Sequence, residues 1–263
     1  MRTALDPFYS IVIPAYNEGA RLGATLERIL TFVLHQGWNA EIIVVNDGSS
    51  DNTAEIARGY ANHSKLLRLI ENPGNRGKGY SVRSGVLHAR GSIVLFTDAD
   101  LSSPIEEATK LLLAIEAGAD IAIGSRWLHT ELQTQRQSLA RQILGRVFNR
   151  FLRILFGLDF KDTQCGFKAF RRRAARALFS IQKIEGWGFD PEILFLAHRY
   201  GFSVTEIPVL WGHDSRTRIH PLADGSRMVS EMLRIRWYAL TGRYGNDSQV
   251  SSGTRLEAQR PRS

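Results

Sequence analysis

The sequence predicts an α/β protein built on a mostly parallel sheet with helices on both faces. Three observations predict it. Apolar, β-favouring runs alternate with helically spaced segments through short joins over the first half of the 263 residues. The carboxyl ends of successive runs carry Asp47, Lys78 and the pair Asp98/Asp100, and that edge is where open α/β sheets gather their ligands. Hydrophobic residues make up 43% of the chain, ample for the core of one large domain. That domain is expected over 1–240, with the alternation confined to 8–125 and broken in 126–240. The polar stretch 245–263 has too little apolar content to fold and is expected to be disordered.

The elements follow from spacing. Residues 9–18 read as a strand ending in a Pro-containing turn. Leu22, Leu26, Ile29, Leu30 and Val33 recur at helical spacing over 20–34, which stops at Gly37. A second strand, 41–45, ends in Asn46-Asp47-Gly48-Ser49-Ser50-Asp51, whose turn formers lead into a helix through Ala61. A third strand at 66–70, a helix at 80–90, the apolar run 92–97, a helix at 105–117 and a strand at 120–124 complete the alternating half. Beyond it, the spacing predicts helices at 141–156, 172–180, 191–200 and 226–240 and a strand at 203–211.

Charge and cysteine content narrow the classes. Lys and Arg number 34 against 26 Asp and Glu, a net +8, which favours anionic partners such as nucleotides, phosphates or an acidic membrane surface. The lone cysteine, Cys165, excludes an internal disulfide framework and fits a reducing compartment as a buried thiol. No secretory leader pattern and no apolar run long enough to cross a bilayer is visible, so the chain is expected in solution or on a membrane surface. The charge alone also permits a non-enzymatic nucleic-acid-binding protein as an alternative, but no nucleic-acid-binding module is recognisable and no nucleic-acid partner is expected.

The centre of the chain is Ser92-Ile93-Val94-Leu95-Phe96-Thr97-Asp98-Ala99-Asp100-Leu101. It reads as a buried parallel strand delivering two carboxylates at positions i and i+2. Like charges so close repel unless a cation lies between them, and hard oxygens suit Mg²⁺ or Mn²⁺ shared with phosphate oxygens. The pair therefore suggests a metal–diphosphate site; the alternative is that Asp98 ends a strand and Asp100 merely opens the following loop. The stretch Gly74-Asn75-Arg76-Gly77-Lys78-Gly79 has neither the P-loop nor the dinucleotide-binding glycine pattern. It is either a flexible loop or the means by which Lys78 meets a nucleotide.

Together these stretches closely resemble the successive motifs of family 2 glycosyltransferases: Pro14-Ala15-Tyr16-Asn17-Glu18, Asn46-Asp47-Gly48-Ser49, the glycine-rich stretch, and Thr97-Asp98-Ala99-Asp100. Gly124-Ser125-Arg126 and Asp162-Thr163-Gln164-Cys165-Gly166-Phe167-Lys168 look like the dolichyl/polyprenyl-phosphate hexose synthase branch. Their wording is nearer to the dolichyl-phosphate β-glucosyltransferases than to the mannose synthases. The resemblance covers about residues 8–240. It implies a GT-A (Rossmann-like) fold, a nucleotide-diphospho-sugar donor (UDP-glucose), Mg²⁺ or Mn²⁺, transfer with inversion, and a dolichyl or polyprenyl phosphate acceptor. It makes 8–125 the donor-binding half and 126–240 the acceptor- and membrane-facing half. GDP-mannose as donor, or a soluble or protein hydroxyl as acceptor, are the alternatives within the fold.

Carried over to this chain, Pro14, Tyr16 and Glu18 border the nucleoside and Asp47 hydrogen-bonds it. Asp98, Ala99 and Asp100 straddle ribose, metal and diphosphate, with Asp98 and Asp100 as metal ligands; Ser102 stands where the mannose-synthase pattern has a metal-facing Gln. Lys78 meets the donor, and Arg218 closes over its diphosphate or remains a solvent-exposed loop residue. Arg126 and Arg141 hold the acceptor phosphate, with Arg136 as a substitute for Arg141; guanidinium groups match phosphate geometry. Asp190, before Pro191, fits a helix N-cap. In the resembling enzymes that region supplies an acidic catalytic residue, but a phosphate nucleophile is already anionic and needs no general base, so Asp190 is expected to position rather than to take a proton.

The predicted helix 141–156 is amphipathic, with Arg146, Arg150 and Arg153 on one face and Ile143, Leu144, Val147, Phe148, Phe151, Leu152, Ile154 and Leu155 on the other. It is either a core helix with a solvated basic face or an interfacial helix on an anionic membrane. The last helix, with Trp237-Tyr238, invites the same reading. The expected location is cytoplasmic, peripheral to the cytoplasmic face of a membrane.

Overall fold

The computed structural model describes residues 7–135, 139–212 and 221–245. Within the helices at 139–156 and 221–240, the side chains of 139–146, 148 and 221–226 lie outside the description.

Strands β1 (Tyr9–Ala15), β2 (Ala40–Asn46), β3 (Leu67–Glu71), β4 (Ile93–Thr97) and β5 (Ile121–Ser125) alternate with helices α1 (Leu22–His35), α2 (Thr53–His63), α3 (Lys78–His88) and α4 (Ala108–Glu116). A three-residue strand β6 (Gln133–Gln135) and helix α5 (Leu139–Phe156) follow. Then come β7 (Phe167–Arg171), α6 (Arg172–Ile181), α7 (Phe189–Arg199), β8 (Val204–Pro208), β9 (Trp211–Gly212) and α8 (Pro221–Leu240). Seven strands form one sheet in the order β3-β2-β1-β4-β7-β5-β8, and β6 pairs with β9 beside it. The mostly parallel sheet with helices on both faces is borne out.

Side-chain alternation along each strand divides the core. One face carries Val12, Val45, Val94 and Phe96 against α3, α6, α7, α5 and α8. The other carries Ile11, Ile13, Val44 and Leu95 against α1, α2 and α4. With both faces covered, every residue of β2 and β4 is buried, the condition that makes such strands read as unbroken apolar runs.

The sheet departs from pure parallel order at one strand. β7 runs antiparallel between β4 and β5, with Phe167 opposite Thr97 and Arg171 opposite Ile93. It therefore enters the sheet beside the end of β4 that bears Asp98.

Three boundaries correct the sequence reading. Helix α3 starts at Lys78 rather than 80. Helix α7 starts at Phe189 with Gly188 at its N-cap, so Asp190 lies inside the first turn and is no cap. The expected strand 203–211 is two strands, the second pairing with β6. The apolar face of α5 also divides: Leu152 and Phe156 are buried in the core, whereas Val147, Phe151 and Ile154 are exposed. Among the described residues no helix is long and apolar enough to cross a membrane.

Candidate active site at the carboxyl edge of the sheet

Strand β4 delivers Asp98 and Asp100 through a tight turn. Leu101 takes a positive φ of 47° and its N–H donates to the Asp98 carbonyl at 3.2 Å. The Thr25 hydroxyl of α1 donates to the Ala99 carbonyl at 2.6 Å, and the Ser102 N–H donates to Asp100 Oδ1 at 2.9 Å. Position 102 thus supports Asp100 through its backbone. Gly166 lies directly under this turn: a Cβ there would collide with the Asp98 carboxylate, so only glycine lets β7 enter so close.

Each carboxylate meets a cation of the chain. Lys78 Nζ is 2.6 Å from Asp98 Oδ1, and Arg21 Nη1 is 3.9 Å from Asp100 Oδ2 while the same guanidinium holds Glu18. Burial and then the neighbouring Asp98 charge raise the Asp100 carboxyl above its ordinary pKa. Burial works to lower the Lys78 ammonium, but Asp98, Asp190 and Asp100 outweigh it and hold it above its ordinary value. Trp187 lies over Lys78, 5.1 Å from ring centroid to Nζ.

The glycine-rich stretch is tied down. Asp47 Oδ1 accepts the Asn72 side-chain amide at 2.7 Å and the Arg76 N–H at 3.1 Å, and Oδ2 accepts the Gly77 N–H at 2.8 Å. Asp47, expected to hydrogen-bond the nucleoside, here spends its carboxylate on the loop that presents Lys78. The 14–18 and 46–53 turns are knitted together: Asn17 N–H donates to Ser49 Oγ at 2.9 Å, Asn17 Oδ1 accepts the Ser50 N–H at 2.7 Å, and Glu18 N–H donates to Thr53 Oγ1 at 2.7 Å. Pro14 sits within β1, and Tyr16 projects into solvent beside these turns.

On the far side of β7, Arg126 forms a two-pronged pair with Asp162, Nε–Oδ2 2.7 Å and Nη2–Oδ1 2.8 Å, and its own N–H adds a third bond at 3.0 Å. Burial works against the Asp162 anion, but Arg126 prevails and holds its pKa below the ordinary value. The expected acceptor-phosphate residue is therefore anchored to a buried carboxylate. Cys165 is buried as expected, and burial pushes its thiol up to about 12. Arg141 lies on α5, but its side chain, like the whole of Arg136 and Arg218, lies outside the described residues.

Lys168 escaped the sequence reading. It is buried on β7, with Nζ 2.5 Å from both Asp190 Oδ1 and the Cys165 carbonyl. This pair explains Asp190 better than capping does: a buried ammonium requires a carboxylate. The signal was present, since Lys168 shares its strand face with the core residue Phe170.

Two carboxylates at a sheet edge with Lys78 and Arg21 beside them can take a divalent cation and an anionic phosphate together. Among the described residues no group of three or more His, Cys, Asp or Glu side chains could hold a metal. Asp98 and Asp100 fit Mg²⁺ or Mn²⁺ in the manner of sites completed by phosphate and water.

Residues 10–179 match the family model described as glycosyl transferase family 2. The chain is 36% identical to the dolichyl-phosphate beta-glucosyltransferase of Saccharomyces cerevisiae, covering 92% of this chain and 78% of that protein. It is 38% identical to the Drosophila melanogaster protein of the same name, covering 86% and 73%. Glucosyl-3-phosphoglycerate synthase from Mycobacterium tuberculosis, solved with Mn²⁺, UDP and glucosyl-3-phosphoglycerate, shares the fold. The TM-score is 0.63 at 20% identity, over 92% of this chain and 85% of that one. The chain is a glycosyltransferase with a GT-A-like fold, and it belongs to glycosyl transferase family 2.

Proposed function

We propose that this enzyme transfers glucose from UDP-glucose to the phosphate of a dolichyl or related polyprenyl phosphate, with inversion, at the cytoplasmic face of a membrane. The observation that carries the reading is the similarity, over most of the chain, to relatives named dolichyl-phosphate beta-glucosyltransferase. The paired carboxylates ending β4 support it, as does Lys78 beside them.

A phosphate oxygen of the acceptor attacks the anomeric carbon, and the bond from that carbon to the donor's diphosphate oxygen breaks on the opposite face. The nucleophile arrives as an anion, so no residue must remove a proton. Asp98 and Asp100 would hold Mg²⁺ or Mn²⁺, which neutralises charge on the departing diphosphate when bound. Lys78 and Arg21 place positive charge beside the same oxygens, and the bond network around Asp47 fixes Lys78 before the donor arrives. Arg126 and Arg141 are assigned to the acceptor side, Arg126 from a fixed position beside Asp162.

The test is a radiolabelled transfer assay with UDP-glucose and GDP-mannose in parallel, a polyprenyl phosphate, and Mg²⁺ or Mn²⁺. Label in the organic phase from UDP-glucose alone is the expected result. Label from GDP-mannose overturns the sugar assignment; no lipid label while donor still binds overturns the acceptor. Asp100→Ala should lower transfer by more than about a hundredfold, because the charge it helps neutralise is worth several kcal/mol in the transition state. Full activity in that variant would remove the carboxylate pair from the mechanism.

A further inference from the structure

Helix α8 has two faces with different tasks. Val229, Leu233, Trp237 and Leu240 follow i, i+4, i+8 and i+11 on one side and are all exposed, Leu240 at 80% and Leu233 at 57%. Arg234 and Arg236 flank that stripe on the helical wheel, and both are exposed. The Arg243 guanidinium lies 4.2 Å from the Trp237 ring centroid. An apolar stripe bordered by arginines, on a chain of net charge +8, matches an anionic lipid surface: acyl chains for the stripe, headgroup phosphates for the arginines.

The other side of α8 reaches the donor site through one segment, 184–189. Met232 and Ile235 are buried in the core. Glu231 Oε2 accepts the Gly188 N–H at 2.8 Å. The contact is close at both glycines: a Cβ at Gly186 would collide with Glu231 Oε1, and one at Gly188 would lie 2.7 Å from Oε2. The opposite side of the same segment supports the glycine-rich stretch. Tyr80 N–H donates to the Glu185 carbonyl at 3.0 Å, and a Cβ at Gly79 would lie 2.8 Å from the Gly186 carbonyl oxygen. The segment's own Trp187 covers Lys78, which in turn holds Asp98. A continuous stack thus runs from the outward stripe through Glu231 and residues 186–188 to Lys78 and Asp98.

We propose that α8 rests on an anionic lipid surface and that Glu231 is the positioning residue through which this contact tightens the donor site. The lipid setting rests on the proposed function, but the coupling is read from nucleotide binding and needs no acceptor. In solution α8 has a lipid-compatible face turned to water; on a bilayer the helix is held, and with it the segment under Lys78. Loss of the Glu231 carboxylate leaves the stripe intact but cuts its tie to the segment.

The experiment measures UDP affinity of the full chain in the presence of Mn²⁺, with no vesicles, with phosphatidylcholine vesicles, and with vesicles containing phosphatidylglycerol; co-sedimentation reports vesicle binding. Wild type should bind the anionic vesicles and bind UDP about fivefold or more tightly on them. Glu231→Ala should still sediment with the vesicles but show no tightening. Glu231→Gln, whose amide oxygen can still accept the Gly188 N–H, should keep it, which separates the hydrogen bond from a general loss of folding. Leu233→Glu should lose vesicle binding and the tightening together, while its UDP affinity without vesicles stays that of wild type. Tightening that survives in Glu231→Ala overturns the coupling, and undiminished vesicle binding by Leu233→Glu overturns the surface. Wild-type UDP affinity that is the same with and without anionic vesicles overturns the coupling, and wild type that does not sediment with anionic vesicles overturns the surface. Failure to glucosylate a polyprenyl phosphate would overturn the proposed function while leaving these outcomes readable.

Discussion

Lys168 and Asp190 are the costliest residues to separate. Lys168 is 1% exposed, its ammonium satisfied by the Asp190 carboxylate and the Cys165 carbonyl. Lys168→Met leaves the buried Asp190 carboxylate without its hydrogen-bonded ammonium, which should destabilise the protein by about 3–5 kcal/mol. The double variant Lys168→Met/Asp190→Leu removes both charges and should recover most of that loss. Urea midpoints of the two singles and the double close the cycle, and a double-variant loss equal to the sum of the two single losses would deny the coupling. Asp162 makes a prediction in pH. Its pKa is lowered in the folded protein, so its contribution is fully present above the unfolded aspartate value of about 3.9. That contribution is lost as pH falls through the lower folded value. The thermal midpoint should fall on acidification below about pH 4, more steeply in wild type than in Asp162→Asn. Parallel pH profiles would show that Arg126 confers no such stability.

At the scale of elements, α5 shows how burial divides a helix whose apolar residues look uniform in sequence. Phe156 packs on Phe195 of α7 with ring centroids 5.3 Å apart, whereas Ile154, two positions earlier, is 74% exposed. Phe156→Ala should cost about 3–5 kcal/mol in urea denaturation, and Ile154→Ser should stay within about 0.5 kcal/mol. Comparable costs at both positions would mean that the exposed row is covered. Strand β7 is the other decisive element. Its antiparallel entry beside β4 places Lys168 against the core and Gly166 against Asp98, so one strand contributes both a buried charge and the clearance the site requires.

For the whole molecule, the proposed membrane contact combines net charge with apolar rows. The net charge of +8 acts over a distance set by salt, about 10 Å at 0.1 M, whereas the rows on α5 and α8 act only on contact. Co-sedimentation with anionic vesicles should therefore weaken as salt rises from about 0.05 to 0.5 M without vanishing, because apolar burial is not screened. Complete loss at high salt would assign binding to charge alone. The proposed donor site lies at the carboxyl edge of β1, β2 and β4, and Glu231 of α8 meets the 184–189 segment through the Gly188 N–H.

The sequence by itself determined the alternation, the β4 end with its two carboxylates, and the motifs that identify the family. Each is local: a strand's period, a turn's composition and the repulsion of neighbouring charges are written in adjacent residues. Only the tertiary structure decided the partners. Lys78 pairs with Asp98, Arg126 with Asp162, Lys168 with Asp190, and Glu231 with the Gly188 N–H, each across at least 20 positions. Such pairings depend on strand order, above all on β7 entering antiparallel between β4 and β5. No local preference encodes that order; it is set by which arrangement buries both faces of the sheet while leaving each buried charge its counter-ion.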